Sequence, residues 1–537
     1  MKKLLNGVVS SVVSFVFIAL FIWSTGIALA AQSDPSERKN MALVGFNDLQ
    51  NRSTYQPVVH QQGVRYILYA GHHALGTNPV TNAPLPSFNP LTGMNEPNGT
   101  SLVDVSDPRN PVLLSHIPVG TPVKPPAVPT AGGAQMVRVC DGSTLPIHDN
   151  KVYMLRTYTG SVANTSAHEI WDTTNPSKPL PVRTVAGGNP VIGNLIDTHK
   201  SWWECDTGIA YIVGNRATDP ALGWKPGNHI MIFDLSNPAS PVFIRDWALD
   251  GQQPGGVIPP NFTSVPPIHG PISTGPNNTN TNPIAGTGAT LGRVYFAYGI
   301  GSNGVMQIVD RDKLLPPPFG KTGLACGVTC TDYKTAEIGR LVMNPDNGAH
   351  TSWPLGTMTV PDFVTGTGND AGRTTRDIVV VTSEAGGAFC SEFRHLTFMT
   401  DVTTEGRPQS VSTFQVPAAS DGFCFRGGRF GPHATNEEFG PPFYQNITFI
   451  SYFNAGVRAV DVRDPYNPQE VGFYIPAVTA DTDLRCGTLN GVPNVCPQVI
   501  QTNNVATDNR GFIYIVDRAN TGLHILRLTG KALGIVQ

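Results

Sequence analysis

The chain has 537 residues, with 36 Lys and Arg against 39 Asp and Glu, and only 14% of its residues are charged. This mild acidity, without any basic cluster, excludes the electrostatic footprint of a nucleic-acid-binding protein. Its 56 glycines and 47 prolines fit many strands joined by turns and long loops.

Residues 1–30 have the pattern of a signal peptide. Lys2 and Lys3 form a basic start, an apolar run follows from Val8 to Trp23, and Ala28-Leu29-Ala30 offers a small-residue cleavage site. The competing reading is an uncleaved membrane anchor. No later segment has the ~18 uninterrupted apolar residues of a spanning helix, so a periplasmic or secreted protein is expected. Eight cysteines in an oxidising compartment read first as disulfides. The close pairs Cys326/Cys330 and Cys486/Cys496 are the leading candidates, with zinc as the rival for "CGVTC".

In chain order, the first clear motif is "GTSLVDVSDPRNPVLLSHIPV" from Gly99. It returns as "AHEIWDTTNPSKPLPVRTV" from Ala167, "HIMIFDLSNPASPVFIRDW" from His229 and "GVRAVDVRDPYNPQEVGFYIP" from Gly456. Each copy has an alternating strand ending in Asp, a polar Asn-Pro-type turn and a second apolar run. The Asp side chain can accept from turn amides, and the Pro suits an outer edge, where a missing N–H costs nothing. Weaker copies start at Gly304, Arg394 and Gly522, making seven, and the repeat aspartates are Asp104, Asp172, Asp234, Asp310, Asp401 and Asp461. A further strand rich in aromatic and β-branched residues precedes each copy, such as "RYILYAG" or "RVYFAYG".

Four antiparallel strands repeated seven times predict an all-β, seven-bladed β-propeller occupying residues 41–537 as a single domain. Long loops are expected at Gly251 to Leu291, Pro316 to Asp377 and Ala477 to Val499, and Met41 to Leu49 is expected to pair with the last blade and close the ring. The motifs "LVDVSDPRNP" and "VRAVDVRDPYNP" resemble the LVIVD repeat, a family of exported β-propeller proteins. That resemblance covers most of the chain after the leader. It implies a fold and leaves the activity open.

Placed on the repeats, four histidines fall into register. His199 in "DTHKSWWECDTG", His269 in "PPIHGPIS", His350 in "NGAHTSWP" and His433 in "FGPHATNEE" each stand at the start of an expected innermost strand. In the other repeats the slot holds Asn503 or Asn504, Gln135 or Met136, and Tyr55 or Gln56. Innermost strands run in one direction around the channel, so residues at one register form a ring at one mouth. Neutral imidazoles converging there would suit a transition metal such as Fe, Cu or Zn. The ends of the second strands reach the same mouth and carry His72, His73, Asn215, Tyr298, Glu384, Asn454 and Arg518. Of these, His72, His73, Glu384 and Asn454 are candidate pocket or supporting residues, and Glu384 could orient a ligating imidazole. Glu437 and Glu438 read most simply as solvated loop charges.

No G-x-S-x-G elbow, H-E-x-x-H, phosphate loop or dinucleotide fingerprint is present, so no nucleotide cofactor is expected. Two functions follow. One is an exported metalloprotein, a metal-dependent oxidoreductase of oxidase or oxygenase type acting on a small molecule at the channel mouth. Histidine-bound iron and copper centres are known on propellers, and this is analogy of fold alone. The other is a non-catalytic propeller that binds a protein or glycan partner, its histidines being structural.

Overall fold

The polar turn that ends each third strand acts as the repeat predicts. A carboxylate oxygen of Asp104, Asp172, Asp234, Asp310, Asp401 and Asp461 accepts from the backbone N–H two residues on, at 2.8–3.1 Å. These six bonds set the reversal into the next segment, which in five of the six repeats leads directly to an outer strand. The computed structural model describes residues 36–537 except 84, 86, 130–131, 160–165, 186–194, 261, 263, 321–334, 344–345, 366–372 and 419–421. The leader and the Cys326/Cys330 pair lie outside the described residues.

Among the described residues the strands form five separate four-stranded antiparallel sheets, one eight-stranded sheet and two short two-stranded ones. The first comprises Thr54–Gln62, Arg65–His72, Gly99–Asp104 and Val112–Pro118. Two more run from Ile268–Ser273 to Glu337–Val342 and from Thr351–Thr359 to Gln409–Phe414. The last two begin at Ile447–Ser451 and Thr502–Thr507. In place of seven separate sheets, the strands between Val137–Asp141 and Val242–Trp247 are continuous. One pairing, Ser166 with Leu195, joins the two four-stranded halves of that sheet. The disulfide Cys140–Cys205 ties the halves together a second time.

An early strand pairs with the last one, as expected. Met41–Asn47 pairs antiparallel with Leu523–Leu528 and supplies the outer strand of the last sheet. The propeller starts a little earlier than residue 41, because Glu37–Lys39 also pairs, with Gln469–Ile475. Apolar side chains pack between neighbouring sheets. Leu68 and Val103 meet Tyr514 and Ile525 across the closure, and Tyr295 and Ile308 meet Val379 and Val381. Two further disulfides, Cys390–Cys424 and Cys486–Cys496, brace loops, and the second is a pair read from sequence. Three disulfides among the described residues point to an oxidising, exported environment. No described helix is long and apolar enough to cross a membrane.

Candidate functional site at the channel mouth

Several irregularities of the innermost strands fall where they carry the site. The pairing register slips between Thr54 and Gln56, between Thr198 and Ser201, between Ile268 and Gly270, and between Thr502 and Asn504. Tyr55, His199 with Lys200, His269 and Asn503 are the residues in those irregularities. A bulge leaves its extra residue unpaired and re-aims the side chain, here toward the channel. His433 arrives by another device. Gly431 has φ +143° and no room for a Cβ, which would fall 2.5 Å from Ala385 Cβ. Pro432 follows and accepts at its carbonyl from Ala385 N–H, so the Gly-Pro before His433 is a shaped turn.

The four histidines come together. His199 Nε2 and His269 Nε2 are 2.7 Å apart. The Tyr55 hydroxyl lies 3.4 Å from both and 3.3 Å from His433 Nε2. The His350 ring packs between those of His269 and His433, at centroid distances of 3.4 and 4.4 Å. His350, Glu384 and His433 each offer a ligand atom, and all three atoms lie within 4.8 Å of one another. Glu384 Oε2 is 3.4 Å from His350 Nε2, and its Oε1 is 3.6 Å from His433 Nε2.

Hydrogen bonds fix two tautomers. His269 Nδ1–H donates to the His350 carbonyl at 2.7 Å, and His433 Nδ1–H donates to the Asn503 carbonyl at 2.6 Å. When neutral, both rings therefore present a bare Nε2 to the centre. His350 Nε2 is buried and makes no hydrogen bond. Burial holds the His199 imidazole down to about 3 and those of His269, His350 and His433 well below the usual histidine range. Burial, reinforced by the Glu384 charge, pushes the Tyr55 phenol up. The Glu384 carboxyl is also raised by burial, against the opposing charges of Arg518 and Arg429.

The supporting residues read from sequence divide. His73 reaches the mouth, packing edge-on against Tyr55 at 4.9 Å and accepting from Arg518 at 3.0 Å. Glu384 sits among the imidazoles. His72 turns away into the first sheet, within 2.9 Å of Thr54 Oγ1 and 2.8 Å of Ser101 Oγ. Asn454 is not in the pocket: its amide donates to the Phe423 and Gly427 carbonyls, and its N–H holds the Arg429 carbonyl. Both are pulled off the mouth by nearby polar groups that the strand pattern does not reveal.

Glu437 and Glu438 are not solvated loop charges. Glu437 is ion-paired with Lys200 and, at 2.6 Å, with Arg138, which keep its carboxyl low although burial pushes the other way. Arg138 also lies over the Trp202 ring at 4.4 Å. Gly270 makes room for this cluster, since a Cβ there would fall 2.4 Å from Lys200 Cδ. Glu438 accepts from Thr507, and burial next to the Glu437 charge pushes it to about 7. Period-two spacing after His433 was the available signal for Glu437. Its cationic partners both come from the eight-stranded sheet.

No family model matches the chain, and no curated protein is similar to it. Among solved structures it is similar to the Dos1 propeller (10% identity, 91% of this chain and 96% of that one, TM-score 0.36). It is also similar to a glucose dehydrogenase (8%, 91% and 99%, 0.35) and to a Penicillium chrysogenum alpha-L-arabinanase complexed with arabinobiose (12%, 80% and 99%, 0.39). At these identities and scores the likenesses say nothing about activity.

Proposed function

We propose that the chain is an exported propeller of the LVIVD-repeat type that holds one transition metal with His199, His269, His350 and His433. The observation that carries this reading is a surplus of lone pairs at one buried place. The bare Nε2 atoms of His269 and His433 and the unbonded Nε2 of His350 gather around one phenol oxygen and one carboxylate. The phenol proton can serve one of them and a His199 Nε2–H, 2.7 Å from His269 Nε2, a second, whereas a cation bound here would satisfy them together. Backbone carbonyls that hold the far side of an imidazole are the usual support for a metal ligand, and Glu384 sits where it can orient two of the rings. Neutral imidazoles suit iron, copper or zinc, and a redox-active ion would make the protein an oxidase- or oxygenase-type enzyme.

The blade count belongs to the same reading. A single pairing between the halves of the eight-stranded sheet, with an apolar layer between them that contains Leu155, Ile170, Ala210 and Ile212, supports two blades in contact. Seven four-stranded blades then surround the channel.

Metal analysis of the purified protein tests the site. About one iron, copper or zinc per chain is expected, and none after all four histidines are replaced by Ala, with circular dichroism confirming the fold. Stoichiometric metal that survives the quadruple replacement would overturn the assignment. Failure to take up any of the three ions would leave the histidines as cross-strand hydrogen-bonding groups of a non-catalytic propeller.

A further inference from the structure

Two cavities meet at the mouth. One, of about 510 Å³, lies over His199 and His269, and the other, of about 430 Å³, lies beside it. Both are lined by His73, Arg429 and Arg518, and Arg485 lines the second. Each volume is in the range of a small-molecule site.

Three arginines and three carboxylates line the two cavities, and one of the carboxylates, Asp197, is held by Asn228. Arg429 donates to Glu384 at 2.7 Å, and Arg485 pairs with Asp483 at 3.1 Å. Arg518 donates through Nη2 to the neutral His73 ring, and its Nη1, 3.8 Å from Glu384, is buried without a hydrogen bond. A buried guanidinium with an open donor is costly to keep unless something accepts from it. Burial and the neighbouring Arg429 lower Arg518 to about 10, which fits a charge short of compensation.

These groups are held before any ligand arrives. The Arg518 carbonyl accepts from Ser53 Oγ at 2.7 Å and from Arg485 Nη2 at 2.6 Å. The Arg429 N–H donates to Gln501 at 2.8 Å. Phe453 lies beneath both guanidiniums, 5.8 Å from Arg518 and 5.4 Å from Arg429. The larger cavity is also lined by the apolar Pro267, Ile268 and Ile300, with Asp197, Asn228 and Gln135 as further polar lining.

We propose that Arg518, with Arg429 beside it, is an anion subsite that takes the carboxylate of a small organic acid, whose apolar body lies against Pro267, Ile268 and Ile300 over the histidines. The subsite stands on the arginine geometry alone. That the acid is a substrate rests on the metal reading above.

Calorimetric titration of chelator-treated, metal-free protein with benzoate, benzamide and sulfate tests the subsite without involving the metal. One benzoate per chain is expected, with sulfate at least about tenfold weaker and no binding of neutral benzamide. Arg518→Gln should weaken benzoate at least about tenfold, as loss of a charged hydrogen bond requires, and Arg518→Lys should recover part of that loss. Benzamide binding as tightly as benzoate would overturn the proposal. So would benzoate affinity unchanged in an Arg518→Gln protein that melts like the parent, or no heat from any of the three ligands. Sulfate binding as tightly as benzoate would make this an inorganic-anion hole and overturn the organic-acid class. A failed metal analysis leaves each of these outcomes readable.

Discussion

Glu384 is the residue on which the two halves of the site depend. One oxygen accepts from Arg429 and the other lies 3.4 Å from His350 Nε2, so the carboxylate links the arginine mouth to the imidazoles. Supporting carboxylates of this kind typically contribute about 10–100-fold to metal affinity. Glu384→Gln keeps the shape and removes the charge. It is expected to weaken metal binding by that factor in a chelator-competition titration while leaving one metal per chain at saturation. Unchanged affinity would place Glu384 outside the metal's influence. Glu384 stood at a second-strand end and was legible there. Arg429 and Arg518 were visible as residues, but the open Nη1 of Arg518 is a property of its surroundings.

At the scale of strands, His168 shows how the eight-stranded sheet is held. It lies in Ser166–Asp172, and its Nε2 is 3.3 Å from the Val213 carbonyl in the other half of the sheet. Burial, only partly opposed by that bond, lowers its imidazole from the ordinary 6.5 to about 4. The unfolded chain therefore takes up this proton below about pH 6.5, while the folded protein resists it down to about pH 4. The contribution of His168 is complete above that window and is lost as the pH falls through it, at about 1.4 kcal/mol per pH unit. In urea unfolding at pH 7 and pH 5, His168→Gln should show a smaller loss on acidification than the parent. An equal loss in both proteins would remove His168 from the acid response. The same strands show what periodicity cannot deliver. Alternation predicted them, but the bulges at Tyr55, His199 and His269 depend on how each strand meets its partner.

At the scale of the whole molecule, closure brings distant residues together. Met41–Asn47 covers Leu523–Leu528, Glu37–Lys39 covers Gln469–Ile475, and Asn503 donates to the Tyr55 carbonyl across the join. Deleting residues 36–47 would leave two outer strands with unpaired edges, which recruit other chains. The truncated protein is expected to self-associate in light scattering and to melt at a lower temperature than the parent. A truncated monomer with an unchanged melting temperature would show that these strands do not close the ring.

Local chemistry recurring along the chain was enough to predict the strand repeat and its aspartate turns. Strand alternation and Asx turns are short-range, so each copy carries its own instructions. Only the tertiary structure decided that Lys200 pairs with Glu437 from 237 residues away and that Arg138 joins them from 299. It alone decided that Tyr55 takes the centre of the histidine ring and that Arg518 has an unanswered donor. Those contacts arise when a closed ring brings innermost strands from different repeats to one axis, and no spacing within a single repeat encodes that meeting.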